Sequence, residues 1–336
     1  MIQTWPRATG EAVARGVVKS RPEDFRVYEQ LGFEPSGEGE HVFLHLEKRL
    51  LNTQDLAQRI SRLSGIPMRD VSFSGMKDRQ AVTSQWFSVR MAGRAEPDWQ
   101  ALSVPGQVHL LQVARHRRKL KRGVHRGNRF TLVLRELQGS RDAIEQRLSL
   151  LRKGGAPNYF GHQRLGRDGG TLTQAREGMR RGGERISRNR RGLYLSALRS
   201  HLFNLVLAER VRCATWNRVQ AGETCMLNGN RSLFICEVVD AALEARVVSG
   251  DVHPGLPLWG RVEGRSPALE DVRELLAPER STCEFLELVG LDLAWRPSRL
   301  LPDDFCWEFC DDGSLQLDFR LSAGSYATAL LAELLQ

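Results

Sequence analysis

The chain has 336 residues, 41% hydrophobic and 26% charged; this excludes disordered, collagen-like and fibrous classes and allows two domains or one large domain with an insertion. Lys and Arg number 49 against 40 Asp and Glu, and the formal charge of +9 raises the expectation of a polyanionic partner. No basic-then-apolar start and no run of about 18 apolar residues is found, and the six cysteines lack CxxC or zinc-finger spacing, so a cytoplasmic protein with reduced thiols is expected.

Residues 25–29 alternate apolar with polar or amphipathic side chains and 41–46 are similarly extended, so both read as strands. A helix follows, in which Asn52 can serve as cap with Asp55 three residues on, Leu56, Ile60 and Leu63 recur at helical spacing, and Gly65-Ile66-Pro67 ends the element. Residues 71–74 form a short strand leading into the polar turn Gly75-Met76-Lys77-Asp78-Arg79, and 85–90 resume the extended pattern. Residues 108–114 and 130–137 are two more strands, and the segment 115–129 holds eight Lys or Arg, two His and no acid. Ser140 caps a helix with Ile144, Leu148 and Leu151 on one face, and Gly154-Gly155-Ala156-Pro157 marks a candidate domain boundary.

Beyond it lies a Gly- and Arg-rich stretch to Gly192, with seven Arg against two Glu over 176–191. A helix over 196–211, a hairpin turn at Asn228-Gly229, and helices opened by Ser266-Pro267 and by Ser281 or Thr282 make the second unit mainly helical in expectation. Residues 315–321 alternate as a half-buried strand and 326–335 close the chain as a helix. Nine acids face only Arg296 and Arg299 over 281–318, so positive charge is gathered into particular surfaces, which suits a phosphate backbone. No repeat or low-complexity tract is present, and the fold class is α+β.

Asp78 stands between two cations just after an apolar strand. Such neighbours favour the ionised carboxylate, which can act as nucleophile or base; a solvated surface turn is the plainer reading of the same residues. His41 and His45 suggest a metal pair, but no third ligand accompanies them. Residues 166–170 lack the strand, spacing and lysine of a phosphate loop, so neither metal nor nucleotide cofactor is expected.

The segment Phe73-Ser-Gly-Met-Lys-Asp-Arg-Gln-Ala-Val-Thr83 resembles the catalytic motif of the TruD family of tRNA pseudouridine synthases, whose Asp is essential. Asn158-Tyr-Phe-Gly-His-Gln-Arg164 resembles the family's N-Y-F-G-x-Q-R signature, and Pro22-Glu-Asp-Phe25, Gly127-Asn-Arg-Phe-Thr-Leu-Val-Leu-Arg135 and Ala323-Gly-Ser-Tyr-Ala-Thr328 are similar to further family segments, all in family order. The resemblance implies that Asp78 is catalytic, that Lys19 lies beside it, and that Asn128 and Phe130 line a uridine pocket. It extends the substrate-binding set to Phe25, Lys77, Arg79, Asn158, Tyr159, Phe160, Gln163, Arg164 and Tyr326, the last standing where some members carry Phe. His162 replaces a small residue of other members and is given no role.

The same resemblance implies a pseudouridine synthase catalytic domain with a mixed, mainly antiparallel sheet at 1–153 and 304–336, interrupted by a TRUD-specific α+β insertion at 154–303. It implies a cytoplasmic, cofactor-free isomerase acting on tRNA, at uridine 13, as a monomer with no obligate protein partner. Two readings from other classes compete. The intact G-M-K-D-R turn argues against a non-catalytic RNA-binding or RNA-chaperone protein, and the missing ligand cluster argues against a metal-dependent RNA hydrolase.

Overall fold

The alternating segments assemble into one nine-stranded sheet in the computed structural model, which describes residues 5–180, 187–229, 232–262 and 267–336. The main path runs Asp303–Phe309, Leu315–Ser322, Gly127–Gln138, Phe25–Gln30, Val82–Arg90, His41–Arg49 and Val108–His116. Arg15–Val18 pairs with Gly127–Gln138, and Val71–Phe73 with Val82–Arg90. Every pairing is antiparallel except that of Phe25–Gln30 with Val82–Arg90, so the sheet is mixed and mainly antiparallel as expected.

The strands belong to one compact unit, Ala14–Ser140 with Pro302–Gly324 and Gln336. Its helix Thr53–Ser64 shares a hydrophobic cluster with the sheet, placing the fully buried Leu56, Ala57 and Ile60 among Val42, Leu44, Leu46, Phe87 and Val89. Burying each such aliphatic side chain contributes about 1.5–3 kcal/mol. Gly65 ends the helix in the left-handed conformation that only glycine adopts freely. Asn52 does occupy the N-cap position, but it makes no side-chain cap; its amide donates instead to the Asp55 carboxylate at 2.8 Å.

Val82–Arg90 begins three residues before the expected start. Its opening Val-Thr-Ser-Gln reads as a polar loop in sequence, yet Thr83, Ser84, Gln85 and Ser88 are buried inside the sheet unit. The strands Arg15–Val18 and Asp303–Phe309 are not expected from the sequence; the second is only partly buried and follows Pro302 with two acids, a pattern more typical of a loop.

The second unit, Met1–Val13 with Arg141–Leu301 and Ser325–Leu335, is α+β, with more helix than strand among the described residues. Its helices, of which Arg188–Arg212 is the longest among the described residues, accompany a four-stranded antiparallel sheet in the order Leu233–Ile235, Thr224–Leu227, Val252–Leu258, Ala294–Pro297. The Asn228-Gly229 turn joins Thr224–Leu227 to Leu233–Ile235 as expected. Val252–Leu258 escapes sequence reading because its VHPGLPL contains two prolines and a glycine. It tolerates them by changing partner midway, using Val252–Pro254 against one neighbour and Gly255–Leu258 against the other. The helix expected to open at Ser281 or Thr282 is Arg280–Leu288, with Glu279 at its N-cap. Ser266, and Arg181 and Arg185 of the arginine-rich stretch, lie outside the described residues. No helix among the described residues is long and apolar enough to cross a membrane.

Helix Arg141–Gly154 and helix Ala327–Ala332 fall in this second unit. At its edge, Gly155 has φ 72, and a Cβ there would fall on the Leu300 carbonyl oxygen of the paired Arg299–Leu300 strand. Gly155→Ala combines left-handed strain, about 1–2 kcal/mol, with that overlap. Thermal unfolding is expected to show a midpoint several degrees lower; an unchanged midpoint would refute the account.

Candidate active site

Asp78 lies in the turn between Val71–Phe73 and Val82–Arg90, and the backbone of that turn is held group by group from the sheet interior. Gln85 donates from Nε2 to the Gly75 carbonyl at 3.1 Å, the Lys77 N–H donates to Thr53 Oγ1 at 3.1 Å, and Thr53 in turn donates to Gln85 Oε1 at 2.8 Å. Lys48 donates from Nζ to the Asp78 carbonyl at 2.9 Å and to the Leu51 carbonyl at 2.7 Å. The Lys77 ammonium points inward to Glu29 at 2.6 Å, with side-chain exposures of only 6% and 0%. Glu29 also accepts from the Trp86 N–H at 3.1 Å. Lys77 is therefore an internal anchor of the turn.

What the turn presents outward is the Asp78 carboxylate. Lys19 Nζ donates to Asp78 Oδ2 at 2.5 Å, with side chains 23% and 37% exposed. Lys19 takes φ 64, a conformation that costs a non-glycine residue about 1–2 kcal/mol. Its ammonium also sits 4.0 Å from the centroid of the Phe25 ring. Lys19, Phe25 and Asp78 thus form one constellation.

Two quoted motifs meet behind it. Asp24 of the Pro22–Asp24 turn is buried and receives Arg135 in a forked pair, Nε to Oδ2 at 2.9 Å and Nη2 to Oδ1 at 2.9 Å, and accepts from the Arg21 N–H at 3.1 Å. This ties the start of Phe25–Gln30 to the far end of Gly127–Gln138. Phe130 is stacked on Phe319 at 5.3 Å and edge-on to Phe25 at 6.3 Å, so its ring is buried among protein neighbours. Asn128, two residues along the same strand, is partly exposed; Arg79 is exposed and reaches the Leu50 carbonyl at 3.5 Å.

The remaining expected site residues lie in the other unit. Asn158 is buried: its amide donates to the Pro297 carbonyl at 2.9 Å, and its Oδ1 accepts from Arg296 Nη2 at 2.5 Å. Arg296 lies 4.0 Å over the Phe160 ring, and burial pulls its pKa down to about 9. Phe160 exchanges backbone hydrogen bonds with the Asn204 side chain, both at 2.9 Å. Tyr159 is buried and stacks on Trp5 at 5.6 Å; burial raises its phenol pKa. Arg164 donates to the Tyr326 hydroxyl at 2.9 Å and to Ser196 Oγ at 2.6 Å. Gln163 is exposed, with its Oε1 beside Gly161. Most of this signature packs the unit's own interior.

A family model for tRNA pseudouridine synthase D (TruD) matches residues 6–172 and 170–334. The chain belongs to the TruD family. It is 46% identical over 335 residues to the tRNA pseudouridine synthase D of Methylococcus capsulatus, covering 98% of this chain and 94% of that one. With the protein of the same description from Nitrosococcus oceani it shares 45% over 329 residues, covering 96% and 91%. A crystal structure of a Methanosarcina mazei protein described as TruD superposes with TM-score 0.68 over 99% of this chain and 95% of that one; at 20% identity it shows the common TruD fold alone.

Glu29 and Lys48 do not stand out in the sequence, although a signal exists. Phe25, Val27 and Glu29 share one strand face, as do Val42, Leu44, Leu46 and Lys48, so each charge continues an inward row. Among the described residues no group of three or more His, Cys, Asp or Glu is placed to hold a metal ion. His45 stacks on Trp86 at 4.6 Å, and burial lowers the pKa of His41 and His45 alike.

Glu29→Leu would leave the Lys77 ammonium buried without its partner and is expected to lower the unfolding free energy by about 3–5 kcal/mol in urea. Glu29→Leu with Lys77→Met should recover most of that loss. A single mutant as stable as the parent would show that the pair does not hold the turn.

Proposed function

We propose that this chain isomerises a uridine of tRNA, that at position 13, to pseudouridine, with the Asp78 carboxylate as the reacting group and without a cofactor. The observation that carries the reading is the Lys19–Asp78 pair, set in a family motif on a turn anchored to the sheet. The domain assignment implied by the resemblance is kept with it: residues 1–153 and 304–336 as catalytic domain, 154–303 as insertion. The protein is proposed to act in the cytoplasm as a monomer.

The reaction breaks the N1–C1′ bond, turns the base and joins C5 to C1′, with a proton passing from C5 to N1; mass and redox state are unchanged, so no electron carrier takes part. Asp78 either attacks C1′ to form a glycosyl ester or removes the C2′ proton to leave a glycal, and a deuterium isotope effect at C2′ separates the routes. Both use the Asp78 carboxylate, which the Lys19 ammonium contacts at 2.5 Å. The target base must leave its stack, at a cost of a few kcal/mol offset by interactions in the site. Asn128, which is partly exposed, is the side chain we assign to touch it, while the buried Phe25 ring carries the Lys19 ammonium.

Asp78→Asn is expected to abolish pseudouridine formation, read by a pseudouridine-specific chemical label on tRNA, while tRNA affinity stays within a few-fold. Turnover near that of the parent would end this assignment.

The basic segment 115–129 supplies the phosphate-binding surface in this reading. Arg115 and Arg117 are engaged by Glu96 and Glu38, and Lys119 donates to the Arg69 carbonyl at 3.1 Å. Arg118, Lys121, Arg122 and Arg126 are exposed and have no ion pair among the described residues. Neutralising these four together should weaken tRNA binding and flatten the slope of log affinity against log salt by roughly one unit for each phosphate that is no longer neutralised. An unchanged slope would assign the segment to a solvated face.

A further inference from the structure

We propose that Lys48 is a positioning residue for the reaction, holding the Asp78 backbone where the carboxylate meets the substrate; the inference rests on the catalytic reading of Asp78. Lys48 is 1% exposed, and its ammonium is hydrogen-bonded to two main-chain carbonyls, those of Leu51 and Asp78. No carboxylate is paired with it among the described residues. A buried cation is expensive to keep, and a leucine would continue the inward row of Val42, Leu44 and Leu46 without that cost. Lys48 instead joins two tight turns: the one carrying Leu50 at φ 54, which starts helix Thr53–Ser64, and the one carrying Asp78.

The charges around it make the device sensitive to proton concentration. On the turn, Asp78 favours the Lys48 ammonium and Lys77 opposes it; Lys19 lies beyond Asp78 and Glu29 beyond Lys77. Thr83, opposite Lys48 on the adjacent strand, and Thr53 and Gln85 are uncharged. Burial is the dominant influence and brings the Lys48 pKa down from 10.5 to about 8. Lys48 therefore loses its proton as pH rises through that value, while exposed Lys and Arg that bind RNA stay charged. A neutral amine holds a carbonyl less firmly than an ammonium does.

The test is single-turnover pseudouridine formation on pre-bound tRNA from about pH 6.5 to about pH 9.5, with the parent, Lys48→Arg and Lys48→Met compared, and folding checked by circular dichroism. The parent rate is expected to fall with an inflection near the Lys48 pKa, and Lys48→Arg, which stays charged, to lose that inflection. Lys48→Met should lower the single-turnover rate by on the order of 10- to 100-fold, with tRNA affinity, measured separately by titration, within about threefold, the signature of a displaced reacting group. A parent profile without the inflection overturns the proposal even if neither variant folds. So does a Lys48→Arg profile that keeps it, or a folded Lys48→Met with a single-turnover rate within about twofold of the parent. Activity in Asp78→Asn would instead refute the underlying catalytic reading, so the two failures are distinguishable.

Discussion

A turn that must present one carboxylate in a fixed place cannot rely on its own short length, and here the constraint is met by main-chain groups tied to side chains inside a sheet. The Gly75 carbonyl, the Lys77 N–H and the Asp78 carbonyl each have a buried partner, from Gln85, Thr53 and Lys48 respectively. Three different elements supply them: strand Val82–Arg90, helix Thr53–Ser64 and strand His41–Arg49. Such a network is stable only if every member is satisfied, because an orphaned polar group in that interior costs about 1–3 kcal/mol. Gln85, a buried polar residue on a central strand, follows from that requirement.

The motifs that are separated in sequence are joined as physical pairs in each unit. Asp24 from the Pro22–Phe25 segment and Arg135 from the segment opening at Gly127 form a forked ion pair; Arg164 of the N-Y-F-G-x-Q-R signature donates to Tyr326 of the C-terminal one. Short segments of this kind look like independent ligand-binding groups when read along the chain. In space, several are the two halves of one internal bond, and the expected site residues whose side chains stay at least partly exposed in the sheet unit are fewer: Lys19, Asp78, Arg79 and Asn128.

Much of this is legible in the sequence. Period-two alternation locates the strands around Phe25, Val108, Phe130 and Leu315, and the spacing of Leu56, Ile60 and Leu63 locates a helix, because in each case one face is apolar and the other polar; the strand at His41, buried on both faces, is read from its apolar run Val42-Phe43-Leu44. The signal fails at Val82–Gln85, where the polar Thr83, Ser84 and Gln85 are buried. It fails again at Val252–Leu258, where two prolines mimic a loop. In the site, Asp78 and Lys19 are reached through the family motif. Glu29 and Lys48 escape notice, since a charge at an inward position is normally discounted as the end of a strand; here it marks a buried pair or a carbonyl clamp.

The strand Gly127–Gln138 has consequences during synthesis of the chain. On one side it pairs with Phe25–Gln30 and Arg15–Val18, which precede it and are available at once. On the other it pairs with Leu315–Ser322, which leaves the ribosome about 180 residues later. At roughly 5–20 residues per second the unpaired side, with Leu132 and Leu134 destined for the core, waits on the order of ten to thirty seconds for its partner. An open strand edge held for that long is a template for foreign strands, so a nascent chain of this topology depends on chaperone cover or on dilution until its last hairpin arrives.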